Sequence, residues 1–282
     1  SPIQIPGTTW VVIRNGNGFT GGLKTDGTLW SWGGNYYGQL GHNGPSNVSL
    51  SSPVQIPGSW GTTIDSLGTG SAGMTCIKAD GTLWAWGYNG YGGLGQNNKT
   101  NYSSPRQVGS ATDWSSVASF HSFHNGAIKT DGTLWIWGKF DATGQNNATD
   151  YSSPIQVPGG DTTWSKISGA TKRAFAIKTD GTLWSWGNNG AGGLGHNDTT
   201  NIQSPKQVPG TNWSDVVGRA YGHTLASKTD GTLWSWGNND NGQLGHNNTT
   251  QRSSPVQIPG TDWIGAGAIS MAENGSFAIN AG

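Results

Sequence analysis

The chain has 282 residues, 15 basic and 15 acidic side chains, a formal net charge of zero and a charged fraction of only 11%. Such a balance offers no electrostatic footprint for DNA, RNA or an anionic lipid surface. No apolar run reaches the length of a membrane span, and the single Cys76 excludes an intramolecular disulfide and a cysteine-built zinc site.

The 48 glycines suggest disorder, but the 16 tryptophans argue for a packed fold. The chain opens on Ser1 inside a repeat, which predicts that it is processed or cut from a longer protein. Ser-Pro pairs end at Pro2, Pro53, Pro105, Pro154, Pro205 and Pro255. A lone tryptophan follows at Trp10, Trp60, Trp114, Trp164, Trp213 and Trp263. Then comes Trp-x-Trp-Gly, at Trp30/Trp32, Trp84/Trp86, Trp135/Trp137, Trp184/Trp186 and Trp234/Trp236. This period of about 50 residues is that of propellers and solenoids.

Each unit reads as four short strands. In the fourth copy, strand A is Trp164–Ala170, B is Phe175–Thr179, C is Thr182–Gly187 and D is Gln203–Pro209. The Asp-Gly between B and C predicts a hairpin with a type I′ turn, which needs positive φ at both central residues. Pro-Gly after D turns the chain into the next A. Within strand C the two tryptophans stand two residues apart, so both point to one face of the blade, and the leucine just before them, Leu29 or Leu183, points to the other. All sixteen tryptophans fall in these slots and are expected in the core rather than as a row of sugar platforms.

The pattern DGTLWSWGNNDNGQLG (Asp230–Gly245), with four more copies of its DG-x-L-W-x-W-G core, resembles the regulator of chromosome condensation repeat family, in the KTDGTLWSWG form found in bacterial and phage proteins. The resemblance covers essentially the whole chain. It implies an all-β propeller, commonly seven-bladed, whose members are mostly interaction modules. Among them are a nucleotide exchange factor for a small GTPase and a protein inhibitor of β-lactamase. We expect one propeller domain over residues 1–282, with repeats at about 1–51, 52–103, 104–152, 153–203, 204–253 and a partial 254–282. Strand C occurs only five times, so six blades with a three-stranded or incomplete closing blade are predicted. Ser1–Pro6 supplies the strand D that would close the last blade; a seven-bladed ring or a longer array is the alternative.

Chemistry is sparse. Gly16-Asn17-Gly18-Phe19-Thr20-Gly21 matches a phosphate-binding spacing, but a strand follows it instead of a helix, which makes it a tight turn. His42, His196 and His246 recur in Gly-His-Asn, where other copies carry Gln96 and Gln145. Exchange of His for Gln suits a hydrogen bond, not a metal ligand. Glu273 is the only glutamate, and no repeat offers a carboxylate pair or a nucleophile motif. We therefore expect no enzyme, no cofactor and no metal.

The copies differ most in two loops. Three residues at the A–B turn read Asn17-Gly18-Phe19, Ser71-Ala72-Gly73, Ser122-Phe123-His124, Thr171-Lys172-Arg173, Tyr221-Gly222-His223 and Glu273-Asn274-Gly275. The C–D loop opens with Tyr36-Tyr37, then Tyr88 and Tyr91, then Lys139-Phe140-Asp141 in a loop two residues shorter, then Gly190-Ala191 and Asp240-Asn241. Because strands alternate in direction, both loops emerge on one face, opposite the monotonous Asp-Gly face. The candidate contact residues are Phe19, Tyr36, Tyr37, Tyr88, Tyr91, Phe123, His124, Lys139, Phe140, Lys172, Arg173, Tyr221 and His223. The expected role is binding of a protein partner, or assembly at a microbial surface or virion, extracellular rather than cytoplasmic, with no nucleic acid and no membrane insertion. A glycan-binding propeller using Tyr36, Tyr37, Tyr88 and Tyr91 is the second reading. Guanine nucleotide exchange on a small GTPase is the third, resting on the resemblance alone.

Overall fold

A computed structural model describes residues 3–120, 123–218, 222–263, 269–271 and 276–279. Five four-stranded antiparallel sheets follow one another along the chain. Blade 1 holds β1 (Trp10–Asn15), β2 (Phe19–Lys24), β3 (Leu29–Gly33) and β4 (Leu50–Ile56). Blade 2 holds β5 (Leu67–Thr69), β6 (Gly73–Ile77), β7 (Leu83–Gly87) and β8 (Tyr102–Gln107). Blade 3 holds β9 (Trp114–Ser119), β10 (His124–Lys129), β11 (Leu134–Gly138) and β12 (Tyr151–Gln156). Blade 4 runs from β13 (Trp164–Ala170) through β14 (Arg173–Lys178) and β15 (Leu183–Gly187) to β16 (Ile202–Gln207). Blade 5 runs from β17 (Trp213–Gly218) through β18 (His223–Lys228) and β19 (Leu233–Gly237) to β20 (Arg252–Ile258). The sixth sheet pairs β21 (Ile269–Met271) with β22 (Ser276–Ala278). The first strands of all six sheets line one central cavity of about 290 Å³, each contributing a residue such as Arg14, Thr69, Ser119, Lys166, Asp215 or Ile269. This is a β-propeller arrangement.

The closing strand is not formed as expected. Ile3–Pro6 carry no strand and Ile3 is 92% exposed, while Ser1 and Pro2 lie outside the described residues. In every complete blade strand D pairs with strand C. Among the described residues the sixth sheet holds only β21 and β22, so residues 3–6 find no strand C there to pair with.

The two faces of strand C behave as the alternation predicts. Leu29, Leu40 and Ile56 of blade 1 pack on Trp60 and Trp86 of blade 2. The same leucine-to-tryptophan junction recurs as Leu83 and Val108 on Trp114 and Trp137, Leu134 and Val157 on Trp164 and Trp186, and Leu183 and Val208 on Trp213 and Trp236. The second tryptophan of each pair also donates its indole N–H to the C–D loop of the preceding blade. Trp86 bonds the Gln39 carbonyl at 3.1 Å, Trp137 Gly93 at 2.8 Å, Trp186 Ala142 at 2.8 Å and Trp236 Gly193 at 2.9 Å. Trp32 stands at the start of the series, half-buried and without such a bond among the described residues.

The Asp-Gly hairpin departs from the predicted turn. Only the glycines, from Gly27 at φ 76° to Gly231 at φ 79°, have positive φ; none of the five aspartates does. Gly27 N–H bonds the Lys24 carbonyl at 3.1 Å, and Lys24 N–H bonds Thr28 at 3.0 Å. This is a three-residue loop, a type I turn followed by a left-handed glycine. Freed from the left-handed region, Asp26 turns its carboxylate onto Thr28, accepting from the amide at 3.0 Å and the hydroxyl at 2.7 Å. The hydroxyl in turn accepts from Trp30 Nε1 at 2.8 Å. The relay recurs in all five copies. The glycine carbonyl then receives the N–H of the next blade's lone tryptophan, as Trp60 to Gly27 at 2.9 Å and Trp164 to Gly132 at 3.1 Å.

Lys24, Lys78, Lys129, Lys178 and Lys228 complete the motif. Each ammonium lies 3.7–5.3 Å from the centroids of two indoles, the lone tryptophan and the first of the Trp-x-Trp pair. Cation–π attraction thus ties strand B to the tryptophans on either side of it in each of the five complete blades.

These contacts predict a two-step loss of stability in acid. The threonine hydroxyl, then the threonine amide, hold Asp26, Asp80, Asp131, Asp180 and Asp230 below the usual 3.8. Burial lowers His42, His196 and His246 from 6.5. In both sets the unfolded chain takes up protons first, so stability falls as pH drops. The histidine share begins to be lost below 6.5. The aspartate share is fully present above 3.8 and is lost as pH falls through the lower folded values. Circular dichroism melts should give a midpoint that is flat above pH 7, declines below 6.5 and declines more steeply below 4. A midpoint that rises between pH 6.5 and 4 would contradict the assignment.

Candidate functional site

The A–B and C–D loops do share a face, and the backbone ties them together in each complete blade. The first residue of the C–D loop donates to the last residue of the A–B turn: Gly34 to Gly18 at 2.7 Å, Tyr88 to Ala72 at 2.8 Å, Lys139 to Phe123 at 3.3 Å, Asn188 to Lys172 at 2.8 Å and Asn238 to Gly222 at 3.2 Å. Behind this seam a buried asparagine pins the C–D loop from within. Asn89 Oδ1 accepts from Leu94 N–H at 2.9 Å while its amide donates to Asn98 O at 2.9 Å, and Asn189 and Asn239 repeat the pattern. The loops are therefore held on a rigid frame, as a recognition surface requires.

The recurring histidines belong to that frame. His42, His196 and His246 each place Nε2 2.9 Å from a serine hydroxyl of strand C, Ser31, Ser185 or Ser235. Where strand C carries Ala85 or Ile136 instead, Gln96 and Gln145 take over, reaching the Gln107 and Gln156 carbonyls at 2.9 Å. The hydrogen-bonding role expected from the His/Gln exchange is the one the structure displays.

In four of the A–B triplets the third residue does not belong to an exposed surface. Phe19, His124, Arg173 and His223 are the first residues of their B strands, opposite Gly33, Gly138, Gly187 and Gly237, and all are at most 3% exposed. In the fourth blade strand B begins two residues earlier than the sequence suggested, at Arg173 rather than Phe175, so these side chains turn inward. Phe19 joins the junction of blades 1 and 2. His124 packs edge-on against Phe120 at 5.4 Å. The guanidinium of Arg173 reaches Gly193 and Gly222 of the neighbouring loops, and burial lowers its pKa to about 10, still charged at neutral pH. As predicted contact residues, these four are corrected to loop supports.

Six of the others remain outward. Tyr36 and Tyr37 are 65% and 45% exposed, Lys172 is exposed, and Tyr88, Tyr91 and Lys139 are half-buried. Tyr221 and the side chain of Phe140 lie outside the described residues. Phe123 is half-buried in the left-handed region at φ 67°. A non-glycine residue held there is strained backbone of the kind that accompanies a working loop.

Four of these rings converge from three successive blades. Tyr37 of blade 1 meets Tyr88 of blade 2 edge-on at 5.0 Å. Tyr88 contacts Tyr91 at 6.3 Å and Phe123 of blade 3 at 4.9 Å, and Tyr91 stacks on Phe123 at 5.3 Å with planes 28° apart. Lys139 adds its ammonium 5.2 Å from the Tyr91 ring while paired with Asp141 at 3.2 Å. Burial first, then the phenols of Tyr91 and Tyr37, raise the Tyr88 pKa, so its hydroxyl stays a donor. Beneath Tyr88 and Phe123 a small cavity of about 20 Å³ reaches Met74, Leu94, Phe120 and Asn125. Asn125 escaped the sequence reading because the sequence shows its identity and not its neighbours. Its amide donates to Gly93 O at 2.5 Å, while its Oδ1 is buried with no hydrogen-bond partner among the described residues.

Comparison with known proteins agrees with this geometry. Over 97% of this chain and 72% of that one, the structure matches human WBSCR16 with a TM-score of 0.82 at 19% identity. It matches Prp20p of Saccharomyces cerevisiae with a TM-score of 0.78 at 18% identity, over 95% of this chain and 67% of that one. In sequence, it is 29% identical over 127 residues to the mitochondrial RCC1 domain-containing protein RUG3 of Arabidopsis thaliana, 45% of this chain and 28% of that protein. It is 46% identical over 78 residues to the RCC2 homolog of Danio rerio, 28% of this chain and 15% of that protein. The chain thus spans less than a third of the length of these curated relatives. The profile of the regulator of chromosome condensation (RCC1) repeat matches residues 26–71, 80–127, 180–226 and 230–275. Each match begins at or beside an Asp-Gly turn and ends beyond the next blade's strand A, straddling the leucine-to-tryptophan junction. Four such matches, over a framework in which the same junction recurs between the first five blades, place this chain in the RCC1 repeat family.

Proposed function

We propose that this propeller is a non-enzymatic interaction module that binds a protein partner through its A–B/C–D face, with Tyr37, Tyr88, Tyr91 and Phe123 at the centre. One observation carries the reading: four rings from three blades form a continuous surface on loops that are otherwise small and polar. Aromatic rings on a rigid frame are the usual anchors of an interface. The family supports the class of partner, since the yeast relative Prp20p binds proteins, Gsp1p and histones. The setting we propose is a microbial surface or a virion, in keeping with the charge-poor composition.

The test is capture of a partner from the native source on immobilised protein, with the Tyr37→Ala/Tyr91→Ala double variant alongside. We expect at least roughly tenfold weaker capture by the variant, with an unchanged melting midpoint, because both residues stand at the surface. Equal capture by both proteins would overturn the reading. Hits on a glycan array that disappear in the variant would replace the protein partner with a sugar.

A further inference from the structure

Resting on that reading, we propose that the ring cluster receives an arginine side chain of the partner, with the guanidinium over Tyr88 and Phe123 and an N–H donated to Asn125 Oδ1. The cavity under the two rings is about 20 Å³, room for one water or one terminal amino group. Asn125 is only 8% exposed, it lines that cavity, and its Oδ1 is a buried acceptor that no other group among the described residues satisfies. A buried carbonyl oxygen left in that state favours any ligand that brings a donor. Its own amide is already committed to Gly93, so what the site lacks is a donor and not an acceptor.

The walls select the kind of donor. Tyr88 and Phe123 present ring surface, and the nearby ammonium of Lys139 is tied to Asp141 and already lies by the Tyr91 ring. Ring faces attract cations. The same chain uses that attraction five times over, seating each repeat lysine beside two indoles. A lysine ammonium is compact and strongly hydrated, whereas a guanidinium is planar, weakly hydrated and carries five N–H donors. The guanidinium alone stacks on a ring and directs an N–H past its edge into a cavity of this size.

The probe is the capped peptide acetyl-Gly-Arg-Gly-amide, followed by nitrogen–proton correlation spectroscopy of the intact chain. Citrulline and lysine versions of the peptide serve as comparisons. We expect saturable shifts centred on the Asn125 side-chain amide and the backbone of residues 88–93 and 123–125. Binding of the citrulline peptide should be roughly tenfold weaker, because it keeps shape and donors but loses the charge. Asn125→Leu, which fills the cavity and removes the acceptor, should lose the response to arginine by a similar factor. The citrulline comparison needs no variant, so it decides even where Asn125→Leu does not fold. Equal shifts for arginine and citrulline, or shifts scattered over the surface, would overturn the proposal. So would cellobiose moving these resonances while arginine leaves them still, which would make the donor a sugar hydroxyl. Partner capture that depends on Tyr37 and Tyr91 without an arginine response would leave the interaction face standing and remove this inference alone.

Discussion

Replacing Trp186 by alanine should lower the unfolding free energy by about 3–5 kcal/mol, the cost of emptying an indole-sized site in a packed core. Trp186 is fully buried, packs with Leu134 and Val157 of blade 3, and donates to the Ala142 carbonyl. The variant therefore loses packing on both sides of a blade junction and leaves a loop carbonyl without its donor. The matched experiment is Trp32→Ala, the same position one junction before the series begins. Trp32 is half-buried, touches Trp10 at 6.1 Å and holds no loop carbonyl among the described residues. Its replacement should cost less than about half as much, since less area and no hydrogen bond are lost. Urea unfolding of the two variants measures the difference. Equal losses would mean that the leucine-to-tryptophan junction does not organise the stability of the array.

Gly132→Ala should be the next most damaging change, and it acts on the backbone. The glycine sits at φ 80° in the Asp-Gly turn, where an alanine costs about 1–2 kcal/mol from the left-handed conformation alone. A Cβ there would also overlap the carbonyl oxygen of Thr162, which belongs to the approach to the next blade. The turn cannot retreat freely, because the Gly132 carbonyl accepts the N–H of Trp164. Gly242→Ala separates the two effects: its φ of 75° is nearly the same, but no atom of the described residues stands within 4 Å of the added carbon. We expect Gly132→Ala to lose at least about twice the stability of Gly242→Ala in the same urea titration. Equal losses would show that φ alone sets the requirement for glycine and that the turn does not lock adjacent blades.

Much of this frame was legible because identical residues recur at identical offsets. The Trp-x-Trp spacing placed both indoles on one face and Leu29 on the other, and the structure packs them that way. The His/Gln exchange identified a hydrogen-bonding slot, and its partner in strand C was also in the sequence: serine accompanies histidine, and alanine or isoleucine accompanies glutamine. The type I′ turn was misread because Asp-Gly fits two hairpin types. Thr28 decides between them by bonding an aspartate that keeps negative φ. The expected strand D is not formed over residues 3–6 because pairing needs a neighbour, and among the described residues the sixth sheet offers only β21 and β22.

The site was legible only in part. Variation between copies found the loops but did not show which residue of each triplet turns outward. Phe123 and Lys172 have positive φ at the turn, while His124 and Arg173 already belong to the strand, a one-residue difference that reverses the side chain. Tyr37 and Phe123 are 86 positions apart and meet through Tyr88 only because three blades stand side by side. No local spacing encodes that convergence.

Hydrogen exchange of the captured complex tests the central claim most directly, by asking which face of the frame the partner covers. The account predicts slowed exchange at residues 34–40, 88–93, 123–126 and 139–143, around the rings, with no change at the Asp-Gly turns from Gly27 to Gly231. Protection centred on those turns, with the ring cluster exchanging as in the free chain, would contradict it.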